Sequence, residues 1–182
     1  ADDVALFSID TNGKFPVSYM PGQYVTLRVP AGKATAVGQR DFDRVVSEEG
    51  ILEIARTTDW LSQNPLNKDW AWSSPSVRTR TTARTIFKSL DCEFFYLPAL
   101  YLASLEELTQ AIQTVPKDIE HLAIIGHNPG LSQLASFLMA KEHPQFNMNT
   151  MELLSYEIKG NFETLRVGCG ELLLQKGNIA EA

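Results

Sequence analysis

The sequence predicts an α/β protein, a three-layer α/β/α sandwich around a mostly parallel central sheet. Three observations carry that prediction. Short apolar or β-branched runs alternate with helical patterns through the middle of the chain, as in sheets covered on both faces. Two of the runs end alike, at Ser73-Ser74-Pro75 and at His127-Asn128-Pro129, where a strand end meets a proline suited to the first turn of a helix. The length of 182 residues, 44% of them hydrophobic, suits one domain with a full core.

The elements follow in order. Val4 to Ile9 reads as a strand and Asn12-Gly13 as a turn, and Pro16 and Pro21-Gly22 interrupt what comes next. Tyr24 to Val29 reads as a strand, broken by Pro30-Ala31-Gly32. After the charged loop Arg40 to Arg44, Ser47 can cap a helix whose first turn holds Glu48 and Glu49. Ile51, Ile54, Ala55, Thr58 and Leu61 are its expected buried stripe. Trp70 to Trp72 is a short strand, and the helix after Pro75 carries Ala83, Ile86, Phe87 and Leu90 on one face. Phe94 to Leu97 is a strand. Ser104-Leu105-Glu106-Glu107 is a capping box, opening a helix that Pro116 stops. Leu122 to Ile125 is a buried strand, and Leu131, Leu134, Ala135 and Leu138 mark the helix behind it. Leu154, Tyr156 and Ile158 alternate, as do Leu165, Val167 and Cys169. With Leu172 to Leu174 they predict strands that finish the sheet, some of them antiparallel.

Composition narrows the function. A net charge of −6 without a basic block argues against a nucleic-acid partner. Cys92 and Cys169 lack metal-type spacing, so a reducing, cytoplasmic compartment with idle thiols is expected. No apolar run approaches the roughly 20 residues of a membrane span, and no signal-peptide pattern is present.

Two positions stand out chemically. His127 falls at the carboxyl end of a buried strand and against a helix start, the edge at which open α/β sheets bind ligands and anions. The ordinary alternative is a histidine satisfied by hydrogen bonds within the turn. Arg78 falls in the first turn of its helix, a poor place for a cation unless an anion lies nearby. The ordinary alternative there is an arginine in a surface ion pair.

Four ordered segments resemble the SixA-type phosphohistidine phosphatases of the histidine phosphatase superfamily. Gly126-His127-Asn128-Pro129-Gly130-Leu131-Ser132 matches their GHNPGLS signature. Arg40 to Arg44, followed by Ser47-Glu48-Glu49-Gly50, resembles DFDRPLSERG. Ser73 to Ala83 resembles SSPALRARQTA, and Tyr101 to Leu108 resembles YLASPEEL. The resemblance implies a phosphoglycerate-mutase-like fold and a phosphatase without metal or organic cofactor. Its substrate would be phosphohistidine in a protein or a small phosphoester. It implies Arg28, Arg78 and His127 as catalytic residues, with Asp41, Arg44 and Asn128 around the phosphate pocket. It also divides the chain into an atypical extension over residues 1–22 and a histidine-phosphatase-like domain over 23–182.

The resemblance fails at one place. The family's nucleophile is a histidine in an Arg-His-Gly or Arg-His-Ala motif, and here Val29 follows Arg28. Valine cannot accept a phosphoryl group. His121 is expected at the opposite end of the His127 strand, and His143 in an exposed loop. A phosphate-binding pseudoenzyme is therefore the competing reading. A third rests on Pro21 to Leu27, which resembles the PGQYVTL segment of flavin-binding reductases but lacks their Arg-x-Tyr-Ser motif.

Overall fold

The fold is built around a strand buried along its whole length, β5 (His121–His127). In the computed structural model, residues 3–10, 29–30, 41–65, 67, 69–140 and 152–176 are described. The helices are α1 (Glu48–Gln63), α2 (Val77–Ser89), α3 (Leu105–Gln113) and α4 (Gly130–Met139). The other strands are β1 (Asp3–Asp10), β2 (Val29–Pro30), β3 (Trp70–Ser73), β4 (Phe94–Tyr96), β6 (Leu153–Ile158) and β7 (Gly170–Lys176).

They form one sheet in the order β4-β3-β5-β1-β6-β7, with β2 paired to β1. Strands β4, β3 and β5 are its parallel centre. Alternate residues of β5 face opposite layers. Leu122 and Ile124 join Leu134, Leu138 and Leu108 beneath α3 and α4. Ala123 and Ile125 join Ile54, Ile86 and Phe87 beneath α1 and α2. Two cores on two faces make the three layers that the alternation of elements predicts.

The remaining strands mix directions. β7 runs antiparallel to β6, as expected near the end of the chain. β1 runs antiparallel to β5 and parallel to β6, a direction the local pattern does not encode. It lies within residues 1–22 and holds a central place in the sheet. Most of the strand expected over Tyr24 to Val29 lies outside the described residues, as do Arg28, His143 and the flavin-like segment.

Several local expectations are corrected. The buried face of α1 is Gly50, Glu53, Ile54, Thr57 and Leu61, whereas Ile51 is 53% exposed. The helix is rotated so that small Gly50 and Thr57 lie inward. Pro75 precedes the Ser76 N-cap of α2, and Pro129 is itself the N-cap of α4, so neither proline is the first helical residue. Leu165 to Cys169 is not a strand. Leu165 and Cys169 are buried, but Val167 is 63% exposed and Gly168 turns the backbone at φ +74°. The caps are as the sequence predicts. Ser47 accepts a hydrogen bond from the Gly50 N–H, and Ser104 and Glu107 form a reciprocal capping box.

Candidate functional site

Parallel β3 and β5 end side by side, and the helices that follow them start there. The Ser74 N–H donates to the Ile125 carbonyl at 2.8 Å and extends the ladder one step past β3. That step sets the Ser74 side chain against His127, with Oγ and Nε2 2.7 Å apart. Thr79 secures the β3–α2 turn, its hydroxyl donating to the carbonyls of Ser74 and Ser76. Arg78, one residue earlier, is thereby aimed back at the strand ends.

Arg78 and His127 are buried, at 1% and 3% exposure. Arg78 Nη2 lies 3.3 Å from His127 Nδ1. A guanidinium has only donors, so Nδ1 presents its lone pair to Arg78. Nε2 then carries the ring proton and donates to Ser74 Oγ.

Asp41 faces this pair from a 3-10 turn, Asp41–Asp43. Arg78 Nη1 donates to the Asp41 carbonyl at 2.6 Å, and Nη2 donates to Oδ2 at 2.9 Å. The Tyr101 hydroxyl donates to the same Oδ2 at 2.8 Å. Arg44 lies 3.6 Å from Oδ1. Partial burial would raise the Asp41 carboxyl, but hydrogen bonds from Arg78 and Tyr101 and the charges of Arg78 and Arg44 outweigh it. Asp41 is held below its ordinary value. Burial and the Asp41 carboxylate push the Tyr101 phenol up. The Tyr101 ring meets His127 edge-on at 5.4 Å and Phe42 at 5.1 Å.

The β5–α4 turn needs its glycine. A Cβ at Gly130 would overlap the Ala103 carbonyl oxygen. Asn128 Oδ1 accepts a hydrogen bond from Ser132 Oγ at 2.8 Å, joining the turn to the first turn of α4.

Of the site residues read from the sequence, the structure brings together Arg78, His127, Asp41 and Arg44, with Asn128 beside His127. Val29 pairs with Val4, and Val4 pairs with His127 on its other side. Two strand spacings, about 10 Å, thus separate the Val29 and His127 backbones. His121 lies at the far end of β5, six residues or ~20 Å away. There its Nδ1 meets Asp69 Oδ2 at 2.8 Å. Sequence reasoning missed Ser74, Thr79 and Tyr101 as site residues. The signal for them was their place in the SSP and YLAS segments.

Comparison with solved structures places this architecture. A phosphohistidine phosphatase SixA assignment from Agrobacterium tumefaciens superposes with a TM-score of 0.70 at 20% identity, covering 82% of this chain and 92% of that one. One from Nakamurella multipartita gives 0.71 at 17% identity, covering 97% and 98%. The protein histidine phosphatase SixA solved with tungstate gives 0.66 at 18% identity, covering 81% and 92%.

The chain has a SixA-like histidine phosphatase fold.

By sequence, an uncharacterized Mycobacterium tuberculosis protein, found in two strains, is 26% identical over 145 residues, covering 75% of this chain and 90% of its own length. No family model matches the sequence. Within this SixA-like fold, the Arg78–His127 pair stands at the carboxyl edge of the parallel centre. Among the described residues no helix is long and apolar enough to cross a membrane, and no group of three or more His, Cys, Asp or Glu is arranged to hold a metal ion.

Proposed function

We propose that the chain is a SixA-type phosphatase that acts on phosphohistidine in proteins or on small phosphomonoesters, receiving the phosphoryl group beside the Arg78–His127 pair. The carrying observation is the buried Arg78, whose Nε meets no partner among the described residues. A guanidinium with an unspent N–H favours an oxyanion, and bidentate arginine suits phosphoryl geometry better than lysine. One similar structure was solved with tungstate, a tetrahedral oxyanion like phosphate, which supports the reading. A phosphoryl group in transfer spreads charge over three oxygens, so the fixed Arg78 guanidinium, with its unspent Nε–H, would stabilise it. Asp41, Arg44 and Asn128 would frame the pocket, and Arg28 is the proposed second arginine. A cytoplasmic location belongs to the same proposal.

A second reading is a phosphate-binding pseudoenzyme. Val29 stands where the nucleophilic histidine is expected, and β1 separates its strand from His127.

One experiment separates the two. The protein is incubated with phosphoramidate, quenched at alkaline pH and weighed intact, while phosphate release is assayed in parallel. An added phosphoryl group on a histidine, with release, supports the phosphatase. Phosphate binding by calorimetry without adduct or release supports the pseudoenzyme. No phosphate binding, or binding unchanged by Arg78→Ala, overturns both.

A further inference from the structure

Arg78 sits in the first turn of α2, near the positive end of the helix dipole, with no acidic residue in that turn. What holds it comes from elsewhere in the chain. Asp41 grips both terminal nitrogens, and Tyr101 in turn grips Asp41. Tyr101 therefore touches both halves of the pocket. Its hydroxyl bonds the acid that fixes Arg78, and its ring edge abuts His127.

The backbone beside it gives a second, independent observation. Leu102 has φ +51°, in the left-handed region. That conformation is strained for a residue other than glycine. Leu102 is 54% exposed, so burial of its own side chain does not account for the strain. The distortion follows immediately on Tyr101.

We infer that Tyr101 is a positioning residue, which fixes Arg78 through Asp41 and steadies His127 through its ring. This rests on the reading of Arg78 and His127 as an anion pocket. Among the described residues, the charged or titratable groups around the Tyr101–Asp41 bond are Arg78 from α2, Asp43 and Arg44 from the 3-10 segment, and His127 from β5 behind Arg78.

The test is calorimetric titration of the full chain with inorganic phosphate across pH, for the wild type, Tyr101→Phe, Asp41→Asn and the double variant. Tyr101→Phe keeps the ring and removes only the hydroxyl. It is expected to weaken phosphate binding about three- to tenfold, the loss of one hydrogen bond. It should also move the acid limit of binding to higher pH, because Asp41 loses a bond that favours its charged form. The titration of phosphate itself is common to all four proteins and cancels. With Asp41→Asn in place, adding Tyr101→Phe should change affinity by less than about twofold, since the two act as one unit. A loss that is the same at every pH and undiminished by Asp41→Asn overturns the inference, as does no loss at all. Absence of phosphate binding by the wild type overturns instead the anion-pocket reading on which it rests.

Discussion

Arg78 Nη2 stands 3.3 Å from Nδ1 of His127, with Ser74 Oγ 2.7 Å from the other ring nitrogen. The guanidinium cannot accept a hydrogen bond, and this decides the imidazole tautomer.

His127 is therefore expected to carry its ring proton on Nε2. Long-range 15N–1H correlation of the histidine side chains checks this, with His127→Gln assigning the signals. A proton on Nδ1 would mean that Arg78 points away from the ring in solution. It would also free Nε2 to act as a base toward Ser74, a role the present geometry denies it.

Asp41 makes stability depend on pH in one direction. Its carboxyl is held below the ordinary value of 3.8, because bonds and charges from Arg78, Tyr101 and Arg44 outweigh the effect of burial. Between the two values the unfolded chain binds more protons than the folded one, so stability falls as pH falls through that window. The contribution is fully present above 3.8 and lost below the folded value. Urea unfolding at a series of acid pH values should show a shallower decline for Asp41→Asn than for the wild type. Identical slopes would show that Asp41 is not ion-paired in solution.

Val29→His is expected to leave phosphoryl transfer near the level of the unsubstituted chain. Position 29 lies two strand spacings from His127 and is followed directly by Pro30, while in-line attack demands a specific approach geometry. Phosphoramidate hydrolysis, with peptide mapping of any adduct, measures this. Strong turnover through position 29 would show that the strand reaches the pocket after all.

The parts of this fold that were legible in the sequence are those written locally. The strand–turn–helix joints at Ser74 and His127, the Ser47 cap and the Ser104–Glu107 box depend on neighbours in the chain. So does the presence of Arg78 in a first helical turn. The direction of β1 was not legible, because it is fixed by pairing with residues more than a hundred positions away. The face of α1 was misjudged because Ile51 is more apolar than Gly50, Glu53 and Thr57, yet those three are buried and Ile51 is exposed. The alternation of Leu165, Val167 and Cys169 was an ambiguous period over too few residues, and Gly168 broke it. In the site, the two ends of the Arg78–His127 contact could be named. Their link to Tyr101 could not, since Asp41 and Tyr101 are joined by a bond across 60 positions.

The missing side chain at Gly130 lets two parts of the site meet. With no room for even a methyl group against the Ala103 carbonyl, the start of α4 bears directly on the loop that carries Tyr101. The walls bearing His127 and Tyr101 are thus wedged into one abutment. Asp41 faces them across hydrogen bonds from Arg78 and Tyr101. A side chain of any size at position 130 would drive the His127 turn and the Tyr101 loop apart.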